Sequence, residues 1–131
     1  MTTATETKTE FTQAQIAHRN ACAFLKGILC GYAEYRGHTY QTAKNRTPEF
    51  DKGFELGMNR LNCGDYIFQE DITDIHIIHN RLRHDRPHIS EDYDAAHTAW
   101  KAKKLIEKHL GEGTFDLAME QAQLEREARN G

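Results

Sequence analysis

Between residues 11 and 124 the apolar positions of the chain return every three or four residues, the period of helices that each turn one face to a core. Phe24, Ile28, Tyr32 and Tyr35 mark the first such face; Thr12, with Gln15 three residues on, has the form of a capping box, and Gly37 closes the run. This predicts a first helix over 13–36. Thr47-Pro48 opens a second, because the hydroxyl can cap and proline fits the first helical position, and that helix is expected over 48–62, stopping at Gly64. The segment DYIFQEDIT keeps no helical period and reads as a loop. Ile75, Ile78 and Leu82 then share one face of a third helix over 74–84, which Pro87 prevents from running much further. Ser90 can cap a fourth, with Glu91, Asp92 and Asp94 in its first turn and Lys101, Lys103, Lys104 and Lys108 toward its end, the charge order that opposes the helix dipole. Its expected buried face includes Tyr93, Ala96, Trp100 and Leu110, and Gly111 ends it. Thr114 can cap a fifth helix carrying Phe115, Ala118, Met119 and Ala122 inward.

Composition agrees with that pattern: valine is absent, only Pro48 and Pro87 interrupt the chain, and good helix formers are plentiful. The expected fold class is all-α, a compact bundle of about five helices. At 131 residues the chain is sized for one domain, placed at 11–124 between a disordered tail at 1–10 and a frayed end at 125–131. A net charge of -3 excludes nucleic-acid binding by bulk charge, so any such contact has to come from a local patch. No run approaches the roughly 20 apolar residues of a membrane span, and the first residues lack the apolar core of a secretory signal. A cytoplasmic protein without a membrane partner is expected. Cys22, Cys30 and Cys63 form an odd set without a Cys-x-x-Cys pair; Cys22 and Cys30 would lie roughly 12 Å apart along one helix, beyond disulfide reach. Reduced, mostly buried thiols follow.

Two segments echo each other: KGILCGYAEY at 26–35 and KGFELGMNRL at 52–61. An interior helical glycine costs roughly 1 kcal/mol against alanine, so Gly27, Gly31, Gly53 and Gly57 need an offsetting reason. A spacing of four puts each pair on one side of its helix, and the expected reason is a helical hairpin whose glycine faces touch, backbone against backbone. The order of residues here, GxxxG, then Tyr40-Gln41-Thr42, then Asn45-Arg46-Thr47, then Phe50 and Gly53-Phe54, resembles the bacterial ribosome modulation factor family over about residues 27–60. The resemblance implies a pair of glycine-aromatic helices, with these residues mostly as scaffold, and association with the small ribosomal subunit. That family is strongly basic, whereas positions 27–62 here hold five basic residues against four acidic ones.

HIIHNRLRHDRPH at 76–88 is the densest chemical cluster. His76 and His79, one turn apart, are the weak candidates for a metal site that Asp71, Asp74 or His84 would have to complete; no H-E-x-x-H or other zinc spacing accompanies them, and no cofactor is expected. Arg81, Arg83 and Arg86, with Lys44 or Arg46, form a candidate anion-binding patch with Tyr35, Tyr40 or Tyr66 available for stacking, since guanidinium forks suit phosphates. Pairing of these arginines with Asp85, Glu70 and Asp74 on a solvated face accounts for the same charges. There is no phosphate-cradling loop and no nucleophile elbow. The expectation is a small non-catalytic binding protein, RNA- or ribosome-associated, with Lys44, Arg46, Tyr40, Arg81, Arg83 and Arg86 as binding residues. The alternatives are a phage-type inhibitor or adaptor that binds a host protein and a histidine-ligated metal enzyme. A homodimer is one expected state.

Overall fold

The computed structural model describes residues 11–37, 46–59, 69–84 and 95–130, and among these the chain forms five helices and no strand: α1 (Gln13–Tyr35), α2 (Pro48–Met58), α3 (Gln69–His84), α4 (Ala95–Leu110) and α5 (Thr114–Asn130). None of them is long and apolar enough to cross a membrane.

The two predicted starts form as the side chains require. Thr12 Oγ1 accepts from Gln15 N at 3.1 Å while Gln15 Oε1 accepts from Thr12 N at 2.8 Å, completing the capping box. Thr47 Oγ1 accepts from Phe50 N at 3.1 Å ahead of Pro48. Gly37 takes φ +85° just beyond α1, the conformation a helix stop asks of glycine. Other boundaries moved. Helix α2 ends at Met58 rather than 62, with Asn59 as its C-cap: the Asn59 backbone N–H and side-chain amide both donate to the Glu55 carbonyl, each at 3.0 Å. Helix α3 begins five residues earlier than expected, at Gln69. Thr114 is the first helical residue of α5, not its cap: its hydroxyl donates back to Leu110 O at 3.3 Å, and the Gly113 amide is taken up by Glu107 Oε2 at 3.0 Å. Gly111 and Gly113, at φ +113° and +89°, make this tight reversal.

Helix α1 is the hub and packs against all four others. The core joins Ala21, Phe24, Leu25 and Ile28 of α1 to Ile75, Ile78 and Leu82 of α3, Ala102 and Ile106 of α4, and Phe115, Ala118 and Ala122 of α5. The expected inner faces of α3 and α5 are therefore the observed ones. Two aromatic assignments change: Tyr35 is exposed at the end of α1, and Trp100 is 55% exposed while Ile106, at 0%, fills the inward position of α4. Cys22 and Cys30 are free thiols, half-buried and buried respectively; Cys63 lies outside the described residues. Two caps are supplied from other helices. His18 Nε2 donates to Leu82 O at 2.8 Å in the last turn of α3, and Lys52 Nζ donates to His109 O at 3.3 Å in the last turn of α4. Both answer carbonyls that a helix end leaves without an internal partner.

Candidate functional site

The echoed glycines meet. All four are buried, and a Cβ placed on any of them would run into backbone of the facing helix: on Gly27 the Phe50 carbonyl oxygen, on Gly31 that of Phe54, on Gly53 that of Phe24 and on Gly57 that of Ile28. Second contacts fall at 2.9 Å to Phe54 N, 2.9 Å to Ile28 N and 2.7 Å to Tyr32 N, for Gly27, Gly53 and Gly57 in turn. Each glycine hydrogen thus points at a carbonyl oxygen, the form of a Cα–H···O=C contact.

These contacts fix a direction that spacing alone does not. Position 27 meets 50 and 54, and position 31 meets 54 and 58, so α1 and α2 run the same way and cross in parallel. Helix α2 starts about 16 Å back along α1 from where α1 ends, a distance the twelve intervening residues cover easily. Phe24, Gly27, Ile28, Gly31 and Tyr32 on one helix match Phe50, Gly53, Phe54, Gly57 and Met58 on the other, one glycine-aromatic frame used twice with reciprocal contacts.

Cations edge this seam. Arg46 grips Asp51 Oδ1 through Nε at 2.8 Å and Nη2 at 2.7 Å, and its guanidinium lies 5.1 Å and 5.0 Å from the ring centroids of Phe50 and Phe54, which stack at 6.2 Å. Burial pushes the Cys30 thiol above its ordinary range, with the Lys26 ammonium and the Arg46 guanidinium pulling it back. At the other end Arg36 Nη1 donates to Tyr32 Oη at 3.2 Å.

The structure places the remaining predicted residues as follows. Arg46 sits on the seam, held by Asp51 and two rings. Arg81 is half-buried on α3, and α2 and α3 share no substantial interface among the described residues, so the elements carrying Arg46 and Arg81 do not pack on each other. Arg83 lies on α3 as well, next to its end, while Lys44, Tyr40 and Arg86 fall outside the described residues, as do Gln41, Thr42 and Asn45. His76 is exposed and His79 buried; the side chains of Asp71, Asp74 and His84, which would complete a metal site, lie outside what the structure describes, and among the described residues no three potential ligands gather.

One surface went unread in the sequence. Outward on α4, Trp100 carries the Lys104 ammonium 4.6 Å from its ring centroid, and Lys101 and Lys108 follow at helical spacing. Assigning Trp100 to the core hid it; the signal available was that Ala102 and Ile106 already form an inward stripe to which Trp100 does not belong. No family model matches this chain, and no curated protein or solved structure matches it.

Proposed function

We propose that this chain is a small non-catalytic binding protein that associates with RNA, the ribosome first among its targets. One observation carries the reading. The glycines that align with ribosome modulation factors are the points at which two backbones touch, so that part of the resemblance has a steric cause that chance spacing lacks. Arg46 edges the seam between Asp51 and the Phe50 and Phe54 rings, and a guanidinium on the parallel pair is suited to phosphate contact.

Co-sedimentation with purified ribosomes tests it. Association is expected at 50 mM salt and should fall steeply by 200 mM, as phosphate contacts require. Absence from the ribosomal pellet at low salt removes the reading. A second reading, a protein-binding inhibitor or adaptor, is favoured by the open concavity along Ile16, Arg19, Asn20, Ala23 and Thr47, where Ile16 is exposed. It predicts a discrete protein that stays bound after RNase treatment.

A further inference from the structure

We infer that the chain associates with copies of itself head to tail, the concavity on α1 around Ile16, Arg19 and Ala23 receiving the outer face of α5 from a second copy, formed by Asp116, Glu120, Leu124 and Glu127. The inference goes beyond the RNA reading and does not rest on it.

The basic half of the contact comes from α1. Between Phe11 and Ala33 the sequence holds no aspartate or glutamate, while His18, Arg19 and Lys26 fall inside that span. Ile16, Arg19, Ala23 and Lys26 recur at intervals of three and four, which sets them on one side of the helix. The first three of these line an open concavity of about 520 Å³ that reaches Thr47, the cap of α2. Arg19 is exposed, with its guanidinium 4.6 Å from the Phe11 ring centroid, and neither Arg19 nor Lys26 enters an ion pair.

The acidic half comes from α5. Asp116, Glu120, Leu124 and Glu127 recur at intervals of four and three, and all four are exposed. Lys103 answers Asp116 and Gln123 donates to Glu127, each at 3.3 Å, whereas Glu120 enters no ion pair. The two stripes match in length, at about 15 Å and about 16 Å of helix axis. They match in kind as well. Ile16, at 45%, and Leu124, at 51%, are the two large aliphatic side chains left exposed among the described residues, one set among cations and the other among carboxylates. A phosphate backbone would answer the cations alone, while the α5 face brings carboxylates and an aliphatic side chain together.

The fold holds the two faces of one chain apart. Residues two positions apart on a helix point about 200° away from each other. Arg19 and Ala23 therefore face away from Ala21, and Glu120 and Leu124 face away from Ala122, both alanines being buried in the core that α1 and α5 share. A chain cannot seat its own α5 stripe in its own concavity, so the matching face has to come from another copy. Because the contact joins two different surfaces, each addition leaves one of each open, and assembly continues unless the rotation closes a ring.

Sedimentation velocity of the full chain after nuclease treatment tests this. In about 0.01 M salt, where charges act over about 30 Å, the average mass should climb with concentration past that of two chains; in about 1 M salt, where they act over about 3 Å, it should fall back toward one. That salt dependence needs no variant. Arg19→Glu and Glu120→Arg, both at exposed positions and expected to melt like the parent, should each abolish the climb, and an equal mixture of the two should restore association, since each keeps the face the other has lost. Leu124→Ser should weaken association roughly 10-fold. The inference is overturned by a single-chain mass at every concentration in low salt, by a mass that stops at two chains and so marks a closed pair, or by a variant mixture that stays monomeric. Association that vanishes with nuclease treatment marks a nucleic-acid bridge and overturns it too.

Discussion

A single methyl group at Gly53 decides whether α1 and α2 can touch. In an ordinary helix, alanine in place of glycine gains about 1 kcal/mol from propensity. Here the added carbon meets the Phe24 carbonyl oxygen and, at 2.9 Å, the Ile28 amide nitrogen, both main-chain atoms that no rotamer change can move aside. Overpacking of this kind costs about 1–3 kcal/mol and more when backbone has to shift, so the sign reverses. Gly53→Ala is expected to lower the unfolding free energy by about 2 kcal/mol in urea titration. Gly37→Ala, where nothing lies within 4 Å, should cost only the strain of its φ of +85°, about 1 kcal/mol. A Gly53 variant as stable as the parent would show that the two backbones are not in contact. These glycines were legible in the sequence because an uncompensated helical glycine is expensive and four of them in two matching frames cannot be casual. Trp100 was not, since a large aromatic near a helical stripe reads as core until the neighbours that already fill the inward positions are weighed.

At the scale of the element, the caps made by side chains beside the helix they start or stop are the legible ones. Thr12 with Gln15, Thr47 with Pro48 and Gly37 each act on amides or dihedrals within three residues, so their caps are written in adjacent letters. Helix ends completed from afar are not. The last turn of α3 is closed by His18, which lies 64 residues earlier in the chain than the carbonyl it serves, and that of α4 by Lys52. The geometry also fixes a tautomer: Nε2 must carry a hydrogen to donate to Leu82 O, so it cannot accept one from Cys22, whose Sγ is 3.8 Å away. His18→Ala leaves a half-buried carbonyl without its donor and should cost about 1 kcal/mol, visible as faster amide exchange in α3 ahead of any other helix. His18→Gln, whose amide can donate to the same oxygen, should recover most of the loss. Uniform loss of protection across all helices in His18→Ala would mean that the contact is not a cap for α3 in particular.

For the whole molecule the informative fact is which helices close the bundle. The sequence predicted a contact between α1 and α2, which forms, and α3 with α4 and α4 with α5 also pack, but after α2 the largest partner of α1 is α5, the last of the five helices. Phe115, Ala118 and Ala122 share one core with Ala21, Phe24 and Leu25, and no local period announces which remote stripe an apolar face will meet. Helix α1 is thus covered by the glycine seam on one side and by the C-terminal helix on another, so the seam's rigidity depends on residues the family resemblance does not include. Ending the chain at Gly111 would expose the inner faces of α1 and α4 together and remove a core aromatic whose loss alone costs about 3–5 kcal/mol, a large share of the stability of a domain this size. The truncated chain is expected to lose far-UV helical signal well beyond the 17 residues of α5 and to melt without a cooperative transition. If it instead melts cooperatively with only α5 missing from its spectrum, then α1 and α2 form an independent unit, and the seam would stand on its own glycines without help from the rest of the bundle.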